Sequence, residues 1–218
     1  MAQVIPQSAA LENLAQLENE LRKGGVVVLP IEGSYIYVAD AFNVSAVEKI
    51  HILRGDESGT ACAVAIGKIE TLSGISSNFN TEIELLAKNF WPGLLTLMVQ
   101  PNPALTWDLG DNGELGEFAV RIPGSKVLQE LAKNIGPLAF ASAAHLNRGA
   151  AKDLGDVSAI NNEVAFYIDG GKLESAPPTT VVRAKIIGKP GLEVTRLGAI
   201  SLDKLREHLP DLSVANEG

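Results

Sequence analysis

Positive charge is scarce in this sequence, so two arginines that end apolar segments are the first candidates for chemistry. Arg121 follows Phe118–Val120, and Arg196 follows Val194 and Thr195. A guanidinium at a strand end offers a bidentate fork to a carboxylate or a phosphate. An arginine in such a position is also commonly a solvent-exposed charge. Spacing alone therefore leaves open whether the two side chains converge on one anion.

Among the three histidines, His145 is the strongest candidate for contact with a ligand. It lies in the loop Ser142–Gly149, directly after Leu138–Ala141, which is predicted to be a buried strand. Loops at strand ends carry ligands in open α/β sheets. His51 lies within a predicted helix and His208 near the end of another, so both are expected to be solvent-exposed or helix-capping side chains.

The motifs of several common sites are missing from the sequence. No glycine-rich loop ends in Lys-Ser or Lys-Thr, and Gly-x-Gly-x-x-Gly does not occur. Ser142 lies in no Gly-x-Ser-x-Gly turn, which disfavours a Ser-His-Asp triad. Cys62 is the single cysteine and stands in an apolar segment, so it is predicted to be a small core residue.

Composition excludes further classes of protein. The 218 residues carry 26 acidic and 18 basic side chains, which gives a formal net charge of −8. Such a chain is not expected to coat nucleic acid non-specifically, because that binding depends on Lys and Arg at the phosphates. No apolar run approaches the ~18 residues that a membrane span needs. Met1–Pro6 lacks the features of a signal peptide, which together with the single cysteine predicts a cytoplasmic location.

Helical and strand-like segments alternate without a break in composition, which predicts one α/β domain over residues 1–218 with a mixed sheet. Capping-box patterns at Ser45–Glu48 and Thr81–Glu84 predict the starts of two helices. The polar segment Asn102–Glu117 is predicted to be a long loop. The predicted strands are Val26–Leu29, Ala61–Ile66, Leu94–Val99, Phe118–Ile122, Leu138–Ala141, Ala165–Ile168 and Thr180–Val182, and the predicted helices are Leu11–Leu21, Ser45–Leu53, Thr81–Asn89, Val127–Ile135 and Ser201–Leu209.

Several different short motifs follow one another along the chain, and their order and spacing can be compared with those of known families. Phe90–Leu97 reads Phe-Trp-Pro-Gly-Leu-Leu-Thr-Leu, and Gly24–Pro30 reads Gly-Gly-Val-Val-Val-Leu-Pro. Shorter pieces are Glu32 with Tyr35, Ala46–Ile50, Val120–Pro123, Ser142-Ala143, Asp169–Gly171, Thr179–Val182 and Arg196–Ile200. In this order and spacing they resemble the YrdC family of L-threonylcarbamoyladenylate synthases, over about residues 14–205. The first segment, similar to the family's Trp-Pro-Gly-Pro-Leu-Thr signature, is the most specific match.

The resemblance implies a fold and an activity. The fold is a single YrdC-like α/β domain, a twisted mixed sheet flanked by helices with a large concave cleft. The activity is the condensation of L-threonine, bicarbonate and ATP, with Mg²⁺, into threonylcarbamoyl-AMP and pyrophosphate. Partner proteins then transfer the threonylcarbamoyl group to an adenosine of tRNA. Binding of double-stranded RNA is a further association of the family.

The resemblance also assigns residues to the site. The expected catalytic residues are Arg54 and Ser142, the expected nucleotide-binding residues are Arg54, Ser142 and Arg196, and the expected substrate-binding residues are Tyr35, Arg121, Thr179 and Thr180. No metal site on the protein is expected. Mg²⁺ would share the charge of the phosphates as part of the nucleotide.

Three charged or polar positions of the family's nucleotide site are changed. Arg54-Gly55-Asp56 stands where the family has Lys-Gly-Arg. Asp56 reverses a charge there and is expected to repel a triphosphate. Ala144 replaces the Asn of the family's Ser-Ala-Asn loop, unless a shift of one residue places His145 there.

The pocket expected for threonine also loses polar groups. Ile31 and Gly33 replace two threonines, and Ala65 replaces a histidine. These changes leave two interpretations open. The chain is either a synthase with altered or reduced activity, or a non-catalytic module that binds a nucleotide or RNA. A positively charged cleft would favour nucleotide binding, and a neutral cleft would disfavour both interpretations.

Overall fold

The computed structural model describes residues 2–57, 59–114, 116–145, 148–157, 164–185 and 191–215. The strands are β1 (Gln3–Pro6), β2 (Val26–Ile31), β3 (Ser34–Asp40), β4 (Ala63–Ala65), β5 (Leu95–Val99), β6 (Phe118–Arg121), β7 (Leu138–Ser142), β8 (Val164–Asp169), β9 (Thr180–Ala184), β10 (Leu192–Arg196) and β11 (Ser213–Val214). The helices are α1 (Leu14–Arg22), α2 (Val44–Arg54), α3 (Thr71–Ile75), α4 (Thr81–Phe90), α5 (Lys126–Ile135) and α6 (Leu202–Arg206).

All of these strands belong to one mixed sheet, in the order β1-β8-β2-β3-β7-β4-β6-β5-β9-β10-β11. Pairs such as β2 with β3 and β3 with β7 are antiparallel, whereas β2 pairs with β8 and β5 with β9 in parallel. The single α/β domain with a mixed sheet and flanking helices, predicted from the alternation of elements, is confirmed.

The two faces of the sheet are covered differently. On one face, buried side chains of α2, α3, α4 and α6 join the larger apolar cluster, which is supported by strands along the whole sheet. On the other face, α1 and α5 pack on β2, β3, β4, β7 and β8, and form the smaller cluster. Within the described residues, the smaller cluster includes no side chain of β5, β6, β9 or β10.

Those four strands therefore present one uncovered surface, which we call the open face. Their burial alternates residue by residue, with buried side chains on the α2/α4 side and half-buried side chains on the other. Successive residues of a strand point to opposite faces of a sheet, so this alternation identifies which residues belong to the open face.

Several local predictions need correction. Asn43 and Asn80, and not Ser45 and Thr81, are the N-caps of α2 and α4, because their side chains accept the backbone N–H groups of Ala46 and Ile83. Strand β2 continues through Pro30, and the strand β3 was absent from the sequence-based prediction. In the described part of the chain, no helix is long and apolar enough to cross a membrane.

Candidate functional site

A row of polar side chains crosses the open face from β6 to β10. Continuing the antiparallel register of β5 and β6 places Thr96 beside Arg121. Thr96 also pairs with Val181 of β9, and Val181 pairs with Arg196 of β10. Because these residues have the same orientation in their strands, their side chains lie on the open face. Thr179 joins the row through its hydroxyl, which lies 3.0 Å from that of Thr96.

Arg121 is buried in spite of its charge, with 5% of the residue exposed. Its Nη2 lies 3.1 Å from Oε2 of Glu32, and its guanidinium lies 5.6 Å from the centre of the Phe140 ring. The backbone N–H of Gly124 donates to the other oxygen of Glu32. Burial lowers the pKa of the Arg121 guanidinium from its usual value, and the Glu32 carboxylate opposes that shift. Arg121 is therefore a fixed, partly desolvated cation and not an exposed strand-end charge.

Arg196 lies at the other end of the row and is exposed. Its Nη2 donates to the Thr179 hydroxyl at 2.8 Å, and its Nε donates to the Thr179 carbonyl at 3.2 Å. No carboxylate of the described residues pairs with it. These bonds hold the guanidinium at the rim of the open face, where its remaining donors can reach an anion.

Arg54 lies at the end of α2 and belongs to a second polar group. Its Nε lies 2.7 Å from Oδ2 of Asp56, whose side chain is only 1% exposed. The same oxygen lies 2.9 Å from Nδ1 of His51. The Nη1 of Arg54 donates to the carbonyls of Ser142 and Ala144, just after β7. Arg54 is thus fixed against the loop that the sequence predicts to contact the nucleotide.

Ser142 lies beside Arg54, which donates to its carbonyl. Ser142 has the same orientation in β7 as Phe140, the residue beneath the Arg121 guanidinium. Its Oγ is buried and has no hydrogen-bond partner. Following it, His145 packs over Gly55, where an added Cβ would lie 2.7 Å from the imidazole. His145 also lines a cavity of about 700 Å³ with Arg148, Gly149, Ala150, Gly155, Asp156 and Val157.

Two of the expected substrate-binding residues face the other way. Thr180 belongs to the buried side of β9, where its hydroxyl donates to the Ile200 carbonyl at 2.7 Å and accepts the N–H groups of Gly198 and Ile200. Tyr35 is fully buried, and its hydroxyl is held between the carbonyl of Gly171 and the N–H of Gly170. Desolvation raises the pKa of Tyr35 above its usual value. Neither hydroxyl reaches the open face, so the substrate-binding roles expected of Tyr35 and Thr180 remain predictions without a contact on that surface.

Asp56 has two partners that the sequence analysis did not include. Its carboxylate is buried between His51 and Arg54. The sequence analysis missed His51 and Glu32 as partners of the arginines. The contact of His51 could have been predicted from the sequence, because positions 51, 54 and 56 lie close together around the C-terminus of α2. No local signal connects Glu32 to Arg121.

The polar groups of the open face fit a nucleotide better than a resident metal ion. Among the described residues, no three or more His, Cys, Asp or Glu side chains lie in position to hold a metal. Guanidinium and hydroxyl groups, in contrast, are donors to phosphate oxygens. Mg²⁺ would therefore enter as part of a bound nucleotide.

Comparison with known proteins agrees with the fold and with the motifs. Residues 19–198 match the Sua5/YciO/YrdC family, described as "Telomere recombination". A Mycobacterium tuberculosis protein named "Putative threonylcarbamoyl-AMP synthase" is 32% identical over 190 residues, which cover 87% of this chain and 85% of that protein.

Two solved structures share the architecture. Sua5 of Pyrococcus abyssi, crystallised with L-threonine, superposes with a TM-score of 0.81 at 22% identity, over 99% of this chain and 62% of that chain. Escherichia coli YciO superposes with a TM-score of 0.73 at 23% identity, over 94% of this chain and all of the other. The family match covers most of the described sheet, including both ends of the polar row, and the chain belongs to the Sua5/YciO/YrdC family.

Proposed function

We propose that this chain is a diverged threonylcarbamoyl-AMP synthase that binds a small amino acid and ATP on the open face. The observation that carries the proposal is the polar row itself. Arg121 and Arg196 face the same uncovered surface, joined by the hydroxyls of Thr96 and Thr179. Two hydrogen-bonded guanidinium groups on one surface suit a ligand pair with a carboxylate and phosphates.

Each residue has a separate task in this proposal. Arg121 orients the amino-acid carboxylate, because it is rigid and partly desolvated. Arg196 and Arg54 contact the phosphates, and Ser142 contributes its unpartnered hydroxyl. Mg²⁺ shares the charge that develops when pyrophosphate leaves. The product would pass to tRNA-modification proteins in the cytoplasm.

The rate is expected to be lower than that of a synthase with the family's Lys-Gly-Arg motif. That motif supplies two cations, whereas here one cation, Arg54, is paired with a buried carboxylate. Electrostatic stabilisation of a departing pyrophosphate depends on donors that are aimed at the developing charge. Because this site has fewer cations without a carboxylate partner than the family's motif supplies, we expect pyrophosphate to leave more slowly.

The test is the release of pyrophosphate from ATP with threonine and bicarbonate present. We expect slow release that requires both co-substrates and that falls further in Arg196→Ala. Arg22→Ala is a matched control, because Arg22 donates to the Asn134 carbonyl far from the open face. Release that is independent of threonine and bicarbonate would contradict the proposal.

The second candidate function is a non-catalytic nucleotide-binding module. It is favoured by the carboxylate partners of two of the three arginines, since Glu32 pairs with Arg121 and Asp56 with Arg54. The two functions differ in one result. A binding module would bind ATP and release no pyrophosphate under any combination of substrates.

A further inference from the structure

We propose that Asp56 is a positioning residue which, together with His51, aims Arg54 at a bound anion. This inference deepens the proposed function, because it concerns the nucleotide site of that same reaction. The charge pattern of the sequence predicts the opposite role for Asp56, namely repulsion of phosphate. The geometry of the turn after α2 distinguishes the two roles.

The guanidinium of Arg54 is oriented by contacts on two of its three nitrogens. Nε donates to Asp56, and Nη1 donates to the carbonyls of Ser142 and Ala144. A planar guanidinium with two fixed edges has no rotational freedom left. Within the described part of the chain, Nη2 is the one nitrogen without a hydrogen-bond partner. Asp56 therefore selects which donors of Arg54 stay available to a ligand.

His51 holds Asp56 in place and compensates its charge. Its Nδ1 lies 2.9 Å from the Asp56 carboxylate, and its Nε2 lies 2.9 Å from the Leu109 carbonyl. Both partners are acceptors, so both contacts are hydrogen bonds only when both ring nitrogens carry a proton. With His51 as imidazolium, the group of His51, Asp56 and Arg54 has a net charge of +1. Such a group attracts an anion.

Acidic side chains and a neutral thiol surround His51. Glu48, Glu57 and Asp108 line a cavity of about 470 Å³ beside His51 and Asp56. The Sγ of Cys62 lies 3.4 Å from Nε2, and burial raises the pKa of that thiol to about 12, so it stays neutral.

Asp56→Asn distinguishes positioning from repulsion. If Asp56 positions Arg54, the substitution should weaken anion binding, and if Asp56 repels the anion, it should strengthen anion binding. The measurement is calorimetric titration of ATP and, separately, of inorganic pyrophosphate. If Asp56 positions Arg54, we expect the Kd of both probes to rise about tenfold or more, as for the loss of a hydrogen bond to a charged group. Asp56→Glu should restore part of the affinity. Glu12→Gln, which removes an exposed carboxylate just before α1, is the control and should bind normally.

A double-mutant cycle tests whether Asp56 acts through Arg54. In an Arg54→Ala background, Asp56→Asn should add no further loss, whereas a repelling charge would give tighter binding when it is removed. His51→Ala supplies a measurement that does not depend on the folding of Asp56 variants. Its Kd for pyrophosphate should exceed that of the wild-type chain, because Asp56 loses the contact that holds it against Arg54. An unchanged Kd would contradict the part assigned to His51.

The outcomes separate this inference from the proposed function. Tighter or unchanged binding by Asp56→Asn overturns the positioning role while the synthase activity can stand. Weaker binding by Asp56→Asn, in a chain that binds ATP but never releases pyrophosphate, supports the positioning role and overturns the proposed function. Binding of neither ATP nor pyrophosphate by the wild-type chain overturns both.

Discussion

Arg121 and Arg196 stand at opposite ends of one polar row and differ in what surrounds them. We expect Arg196→Ala to weaken anion binding by about 1.5–3 kcal/mol with an unchanged melting temperature, because the side chain is exposed. Arg121→Ala should weaken binding and also destabilise the fold by about 3 kcal/mol, since it leaves Glu32 without its cation. Calorimetric titration and thermal unfolding of both variants check this. Equal melting temperatures for the two variants would show that the pair with Glu32 contributes nothing to stability.

The residues that replace the family's polar pocket predict weak selection for threonine. Ala65 pairs with Arg121 and is buried beside it. An added Cβ at Gly33 would lie 2.6 Å from the backbone nitrogen of Ala176, so this turn has no room for a hydroxyl-bearing side chain. A pocket without groups that bond a substrate hydroxyl discriminates poorly against the analogue that lacks it. We expect threonine and 2-aminobutyrate to bind with similar Kd values in calorimetry, and a tenfold preference for threonine would contradict this.

Asp111 is a buried acid outside the polar row and should make stability depend on pH. Both of its carboxylate oxygens lack a hydrogen-bond partner, and burial raises its pKa above the usual value. As the pH rises, the unfolded chain loses this proton at a lower pH than the folded chain does. The free energy of unfolding therefore falls between the pKa of Asp111 in the unfolded chain and its higher pKa in the folded chain. We expect Asp111→Asn to raise the free energy of unfolding by about 1 kcal/mol near pH 7 and to change it little near pH 3.

The control for that measurement is Asp211→Asn, since Asp211 is exposed. It should leave the thermal unfolding curve unchanged at both pH values. A loss of stability in Asp111→Asn at neutral pH would instead mean that the carboxylate makes a favourable contact when ionised.

The sequence motifs contain Arg121, Arg196 and Thr179, which the structure places on one surface, but they did not identify the partners of the arginines. Glu32, in the turn after β2, meets Arg121 through a tertiary contact between residues far apart in the chain. The same holds for Asp56. The charge at that position carries no information about the histidine that contacts it.

At the scale of elements, two adjacent threonines at the start of β9 have opposite tasks. Thr179 lies just before the strand, and Thr180 is its first residue. Thr179 bonds Thr96 and Arg196 on the open face, whereas Thr180 anchors the segment 198–200 on the buried face. We expect Thr180→Val to destabilise the fold by roughly 2 kcal/mol, since two backbone N–H groups lose their acceptor. The melting temperature should fall by about 4 °C or more.

Thr179→Val is the matched comparison for that variant. It should weaken pyrophosphate binding by releasing Arg196, while its stability stays within about 0.5 kcal/mol of the wild type. If Thr179→Val lost stability but bound pyrophosphate normally, the structural task would belong to Thr179, and the assignment made here would be wrong.

Strand register decides which way the side chains of Thr180 and Tyr35 point. The sequence predicts the strand at Thr180, but it does not predict β3, which carries Tyr35. Which of two successive residues faces the ligand depends on strand register, and register depends on neighbours that are distant in sequence. Helices were predicted more accurately, since the apolar spacing of α1 and α5 is local information.

At the scale of the whole molecule, charge argues against the RNA-binding role associated with the family. The formal net charge is −8, and several cations of the described residues have a carboxylate partner. These ion pairs include Arg54–Asp56, Arg121–Glu32, Arg183–Glu117 and Lys185–Glu193. We expect the Kd for a short double-stranded RNA to exceed about 100 µM near 0.15 M salt, by fluorescence anisotropy. A low-micromolar Kd with steep salt dependence would contradict this.

The position of β8 in the sheet has a consequence for biosynthesis. β8 lies between β1 and β2, so residues 3–6 and one edge of β2 have no partner until residues 164–169 have left the ribosome. Pairing of β5 with β9 waits equally long. Sheets that depend on such distant segments close late, and their unpaired edges can associate with other chains in the meantime. A nascent chain that stops before β8 therefore exposes the apolar run Val26–Leu29 as an edge strand, and we expect it to aggregate instead of forming a smaller folded unit.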